Sequence, residues 1–87
     1  AIGFISACHE MGLTVGREEG NDIRVASHDD HPYARFTCPA LTTAAHDYES
    51  VSEHAVETLF RLIDAGGRLD SREETLFAAR LIMRGSA

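Results

Sequence analysis

Ile23-Arg24-Val25-Ala26-Ser27-His28-Asp29-Asp30 reads as a β-strand that runs out into two carboxylates. Ile23 and Val25 are β-branched and share one face with Ser27, while Arg24, Ala26 and His28 take the other. A strand is expected over 22–28, with Asp29 and Asp30 at its end. In a layered α/β sheet, side chains at the carboxyl ends of strands sit where ligands bind.

The flanking segments supply the other layer. Residues 1–12 (AIGFISACHEMG) read as the end of an amphipathic helix with Phe4, Cys8 and Met11 in its core stripe. Gly12 stops it, because glycine accepts left-handed backbone without Cβ strain. Residues 13–21 form a polar loop. Residues 31–40 form a connection, with one helical turn after Pro32. Residues 41–45 (LTTAA) suit a short strand.

The clearest helix covers 48–65. Val51, Ala55, Leu59 and Leu62 make one stripe, widened by Val56, Phe60 and Ile63, and Glu49, Glu53, Glu57 and Arg61 face solvent. Two starts compete: Asp47 as the N-cap, or the S-x-x-E box at Ser50 to Glu53. Gly66-Gly67 ends the helix. Residues 68–74 form a polar loop, where Arg72, Glu73 and Glu74 are solvated charges, as are Glu18 and Glu19. Residues 75–84 (TLFAARLIMR) are largely apolar, as in a strand buried on both faces.

The order is helix, strand, helical turn, strand, helix, strand, which specifies an α/β layered fold. The chain opens on a helix without an initiator methionine. A fragment or processed chain is therefore expected, with three strands that lack partners within it.

The composition excludes several classes. The 87 residues suffice for one small domain. Eight Lys+Arg against 14 Asp+Glu give a net charge of −6, the wrong sign for gripping a phosphate backbone or an acidic membrane. No apolar run approaches the roughly 20 residues that span a bilayer, and no secretory leader pattern is present. At 44% hydrophobic and 25% charged, the composition is globular and not disordered, although a chain this short buries only about 60% of its unfolded surface, so a self-sufficient core is expected to be marginal. Cys8 and Cys38 lie far apart with no CxxC pair, so both are expected as free thiols.

Four motifs in order resemble the C-terminal part of LacI/GalR-family transcriptional regulators. Ala1 to Leu13 resembles that family's helix ending in E-x-G-L, and Ile23 to Asp30 its strand ending V-V-G-F/Y-D-D. Pro39-Ala40-Leu41-Thr42-Thr43 resembles its P-P-L-T-T crossover, and Leu81-Ile82-Met83-Arg84-Gly85-Ser86 its L-V-V-R-G-S strand. Ala55 to Ile63 also resembles the family's A-V-x-x-L-x-x-L-I helix. The loop Gly16 to Asp22 is longer than the family's, and Ser27-His28 replaces its Gly-aromatic pair.

The resemblance implies a partial Rossmann-like fold of the type I periplasmic-binding-protein kind, in which two subdomains close on an effector. Residues 1–41 would belong to the C-terminal subdomain and 42–46 to a crossover. Residues 47–74 would supply a helix of the N-terminal subdomain, and 75–87 a returning strand and tail. The function implied is effector sensing in a sugar-responsive repressor that is cytoplasmic and homodimeric. DNA would be bound only through a domain missing from this chain. The alternatives are a piece of a periplasmic-type sugar-binding transport receptor and, from another class, a small metal-dependent enzyme built on the His/Asp cluster.

By the same resemblance Asp29 hydrogen-bonds effector hydroxyls or a base edge from the strand end, which suits an ionised carboxylate. The competing reading is a turn aspartate. Asp30 is expected to be its structural partner. His46 and Tyr48 follow the crossover. His46 offers a hydrogen bond, and Tyr48 offers a ring to the apolar face of a sugar; otherwise they are a surface histidine and a packing tyrosine. Phe36 and Cys38 suit a subunit interface or a core equally.

No metal and no cofactor is expected. His28, Asp29, Asp30 and His31 invite a metal site, but adjacent strand residues point to opposite faces, so His28 and Asp29 should not converge, and His9 and His46 would complete a site only by an accident of tertiary structure. The chain is not expected to be an enzyme. It has no G-x-S-x-G elbow, and Gly16 to Gly20 (GREEG) lacks the G-K-[ST] ending of a phosphate loop.

Overall fold

The computed structural model describes residues 1–68 and 74–87. Most of the loop expected over 68–74, including Arg72 and Glu73, lies outside the described residues. The chain divides into two units, 1–46 with 79–87, and 47–78.

The first unit holds helix α1 (Ile2–Glu10), strand β1 (Ala26–His28), a 3-10 turn (Pro32–Phe36), strand β2 (Thr42–Ala45) and strand β3 (Arg80–Ile82). The sheet order is β1-β2-β3. β1 and β2 are parallel, with Ala26 opposite Thr42 and His28 opposite Ala44. β2 and β3 are antiparallel, with Thr43 opposite Ile82. The expectation of unpaired strands is thus overturned: all three pair with one another, because the carboxyl-terminal segment returns beside β2.

Helix α1 ends as its sequence requires. Gly12 sits at φ +75°. Its N–H donates to His9 O and that of Leu13 to Cys8 O, at 3.0 and 2.8 Å. These two bonds are the Schellman pattern, which satisfies the last helical carbonyls. The inward face, however, is Ile5 and Cys8, each 3% exposed, while Phe4 and Met11 are 53% and 76% exposed. The expected stripe is off by about a quarter-turn, since Phe4 and Met11 lie beside the Ile5–Cys8 line rather than on it. Ile5 and Cys8 join Val15, Val25, Ala34 and Leu41 in the core, with Leu13 and Ile23 packed against it.

The strand expected over 22–28 alternates as read, with Ile23 and Val25 inward and Arg24, Ala26 and His28 exposed. Its regular ladder is shorter. Ile23 makes an isolated parallel bridge to Val15, and Val25 N–H donates to Ser86 O at 2.8 Å. The preceding loop is pinned at its neck. The Thr14 hydroxyl and N–H donate to Asp22 Oδ2 at 2.7 and 2.8 Å. Those bonds, the hydroxyl first, hold the Asp22 carboxyl below its usual range.

β3 is shorter than the strand expected over 75–84 and is not buried on both faces: Leu81 is 60% exposed and Leu76 87%. It is an edge strand with β2 as its one partner in the sheet order. It stops where Arg84 N–H turns to the Thr42 hydroxyl at 2.8 Å instead of continuing the ladder. Ser86, fully buried, then closes the unit. Its hydroxyl donates to Val25 O at 2.6 Å and accepts from Thr42 N–H at 2.8 Å, joining the entrances of β1 and β2.

The second unit is built on helix α2 (Tyr48–Asp64). Asp47 is the N-cap: its carboxylate accepts from Ser50 N–H at 3.2 Å and from the Ser50 hydroxyl at 2.8 Å. The competing start at Ser50 therefore falls, because Ser50 is consumed as the donor to that cap. Gly66 and Gly67 close the helix by the same two-bond pattern onto Ile63 and Leu62. Glu49, Glu53, Glu57 and Arg61 face solvent, but the apolar stripe is not buried among the described residues either: no residue of α2 is, and Val56, Leu59, Phe60 and Ile63 are each more than half exposed. His54 Nε2 meets the Thr75 hydroxyl at 2.9 Å, and its ring meets Phe77 edge-on at 5.6 Å. No described helix is long and apolar enough to cross a membrane.

Candidate functional site

Because β1 and β2 run parallel, their carboxyl ends lie side by side. β1 ends at His28 and leads into Asp29 and Asp30. β2 ends at Ala45 and leads into His46. Residues far apart in sequence are thus delivered to one end of the sheet.

Asp29 and Asp30 both leave the strand with positive φ, +79° and +42°. Aspartate tolerates this region better than most residues, because its short polar side chain bonds locally. The backbone is anchored through the turn. Asp29 N–H donates to Ala44 O at 2.8 Å, and Asp30 N–H donates to the Thr43 hydroxyl at 3.1 Å.

The two carboxylates then part. Asp30 points inward, where Oδ1 lies 2.7 Å from Arg84 Nη1. That contact is a charge pair rather than an aligned hydrogen bond. Arg84 Nη1 also donates to Leu41 O at 2.7 Å. The close Arg84 N–H group holds the Asp30 carboxyl below its usual range. Burial opposes this, and the charges of Arg84, Arg35 and Arg80 add to it.

Asp29 points to solvent instead. Its Oδ1 is 2.9 Å from His28 Nδ1. The His28 and His46 rings pack edge-on, with centroids 4.5 Å apart and planes at 61°. One ligand atom from each of His28, Asp29 and His46 lies within 4.8 Å of the others. The convergence corrects the expectation that His28 and Asp29 diverge. Period-two alternation ends at His28, and the left-handed turn at Asp29 swings its carboxylate back to the His28 side.

Of the residues singled out in sequence, Asp29 and His46 are brought together. Tyr48 opens α2 in the second unit and is 55% exposed. Thr43 and Arg84 are the residues that sequence reasoning missed as part of this assembly, while His28, weighed only as a metal ligand, was set aside on the expected divergence from Asp29. The signal for His28 was available in the tolerance of an Asp-Asp pair for left-handed backbone. Phe36 is 75% exposed and Cys38 is also exposed, so neither belongs to the core of this chain. Both cysteines are free thiols.

The family model for the periplasmic binding protein-like domain matches residues 1–87. The chain belongs to that family. This periplasmic-binding-protein-like chain is 34% identical over all 87 residues to the lactose operon repressor of Klebsiella pneumoniae, of which it spans 23%. Its fold matches the crystal structure of a LacI family transcriptional regulator from Lactobacillus casei with bound sucrose. The TM-score is 0.71 at 28% identity, covering all of this chain and 30% of that one. The α/β class and the partial periplasmic-binding-protein-like architecture read from sequence are those observed.

Proposed function

We propose that this chain forms part of the effector-binding region of a sugar-responsive LacI-type transcriptional regulator. The observation that carries the reading is the placement of Asp29 and His46 together at the carboxyl ends of two parallel strands. Binding sites of open α/β sheets lie at such ends. The end-to-end likeness to a lactose operon repressor and to a regulator holding sucrose supplies the chemical class. Asp29 accepts from sugar hydroxyls, His46 donates or accepts beside it, and Tyr48 supplies an aromatic face.

Residues 1–41 belong to one subdomain of such a receptor, 42–46 to a crossover, 47–74 to the other subdomain, and 75–87 return. The separate clustering of residues 47–78 supports that division. Effector binding shifts the balance between two arrangements of the subdomains. The full protein acts in the cytoplasm as a homodimer and meets DNA through a domain outside these residues. No catalytic step is assigned to it.

The test is calorimetry on the full-length protein with a panel of mono- and disaccharides. At least one sugar is expected to bind, and Asp29→Ala is expected to weaken it by about tenfold or more, the loss of a charge-assisted hydrogen bond. No binding across the panel, or binding indifferent to Asp29→Ala, would overturn the reading.

A further inference from the structure

We infer that His28, Asp29 and His46 form a site for a divalent transition-metal cation, of which Zn2+ is the representative. The three residues offer two imidazole nitrogens and one carboxylate oxygen, all within 4.8 Å of one another. A tetrahedral zinc with bonds of about 2.0–2.2 Å sets its ligand atoms roughly 3.4 Å apart. The remaining closure is within reach of side-chain rotation alone, since His28 and Asp29 are exposed and His46 is half-buried.

The backbones beneath need not move. His28 is the last residue of β1, paired with Ala44. Asp29 N–H is bonded to Ala44 O at 2.8 Å, and His46 follows two residues after Ala44. His28 and Asp29 are therefore tied to one rung of the parallel pair and His46 follows just beyond the end of β2, which is the support this site has. The bland reading is a histidine–aspartate hydrogen bond on the surface. That bond accounts for His28 and Asp29 at 2.9 Å; His46, which follows β2 and stands 18 positions from His28, adds a third ligand atom at the same point.

The donor set selects the ion. Two imidazoles favour zinc, copper or nickel, whereas magnesium and calcium require oxygen ligands. Three protein ligands leave the remaining position to water. The carboxylate and the chain's net charge of −6 both favour a cation. The inference does not depend on sugar binding, although Asp29 serves both readings and a bound metal would compete with a polyol for it.

The experiment is zinc titration of the untagged full-length protein by calorimetry, repeated for His28→Ala, His46→Ala and Asp29→Asn. About one equivalent of Zn2+ is expected at micromolar affinity, weakened roughly tenfold or more by each substitution, with no response to Mg2+. Far-UV circular dichroism should be unchanged in these variants. Cobalt substitution provides a second readout, with visible absorption in the wild type that disappears in His46→Ala. No zinc binding tighter than about 1 mM overturns the inference. So does binding that survives both histidine substitutions, or that is lost with Cys38→Ser instead. A protein that binds zinc but no sugar supports this site and sinks only the effector reading.

Discussion

Asp30 shows how much one side chain can organise. Its N–H bonds to Thr43 on β2 and its carboxylate pairs with Arg84 beyond β3. Arg84 in turn reaches Leu41 O at the start of β2. The turn that displays Asp29 therefore rests on the carboxyl-terminal segment. The Asp30 carboxyl is held below its usual range in the fold, so its contribution to stability is full at neutral pH. That contribution is lost as pH falls through the lowered value, beneath the ordinary carboxylate range. Arg84→Gln is accordingly expected to lower the melting temperature at neutral pH, with a gap to wild type that narrows on acidification. A gap independent of pH in a melting series would refute the pairing. At this scale the sequence marked Asp29, Asp30 and His46 by residue type. It did not show that His28 and Asp29 converge or that Arg84 pairs with Asp30, because a left-handed turn and a contact spanning 54 positions leave no local pattern.

Among the elements, helix ends were the most legible, because a stop is a local steric fact. Gly12 has φ +75° and open space where a Cβ would stand, so the cost of a side chain there is conformational alone. Gly12→Ala is expected to destabilise by about 1 kcal/mol in urea unfolding. Gly3→Ala, inside α1 with nothing nearby, should stabilise by up to about 0.5 kcal/mol; equal effects at the two positions would rule out the argument. Strand limits were less legible. The apolar run over 75–84 predicted a long central strand, yet β3 has three residues, because Thr42 diverts Arg84 and Ser86 from the ladder. Ser86→Ala leaves the Thr42 N–H and Val25 carbonyl without their buried partner. It should cost about 2 kcal/mol, read as a lower denaturant midpoint; an unchanged midpoint would mean water replaces the hydroxyl.

The whole molecule is two units, and Val56, Leu59, Phe60 and Ile63 on α2 each remain more than half exposed. The chain spans 23% of the lactose operon repressor and 30% of the sucrose-bound regulator to which it is similar. On the effector reading, these 87 residues carry part of a larger cleft. Taken alone they are expected to bind the sugar at least about tenfold more weakly than the full-length protein, each tenfold being about 1.4 kcal/mol of lost contact. Equal affinity by calorimetry would place the whole site within this chain. The sequence by itself determined the α/β class, the order of elements and both glycine helix stops, since each follows from side-chain period or local backbone sterics. Only the tertiary structure decided that the three strands pair with one another, that Ile5 rather than Phe4 faces the core, and that His28, Asp29 and His46 meet. Those outcomes depend on which distant segment supplies hydrogen-bond partners and buried surface, and parallel pairing of β1 with β2 is what sets two chain-distant histidines beside one carboxylate.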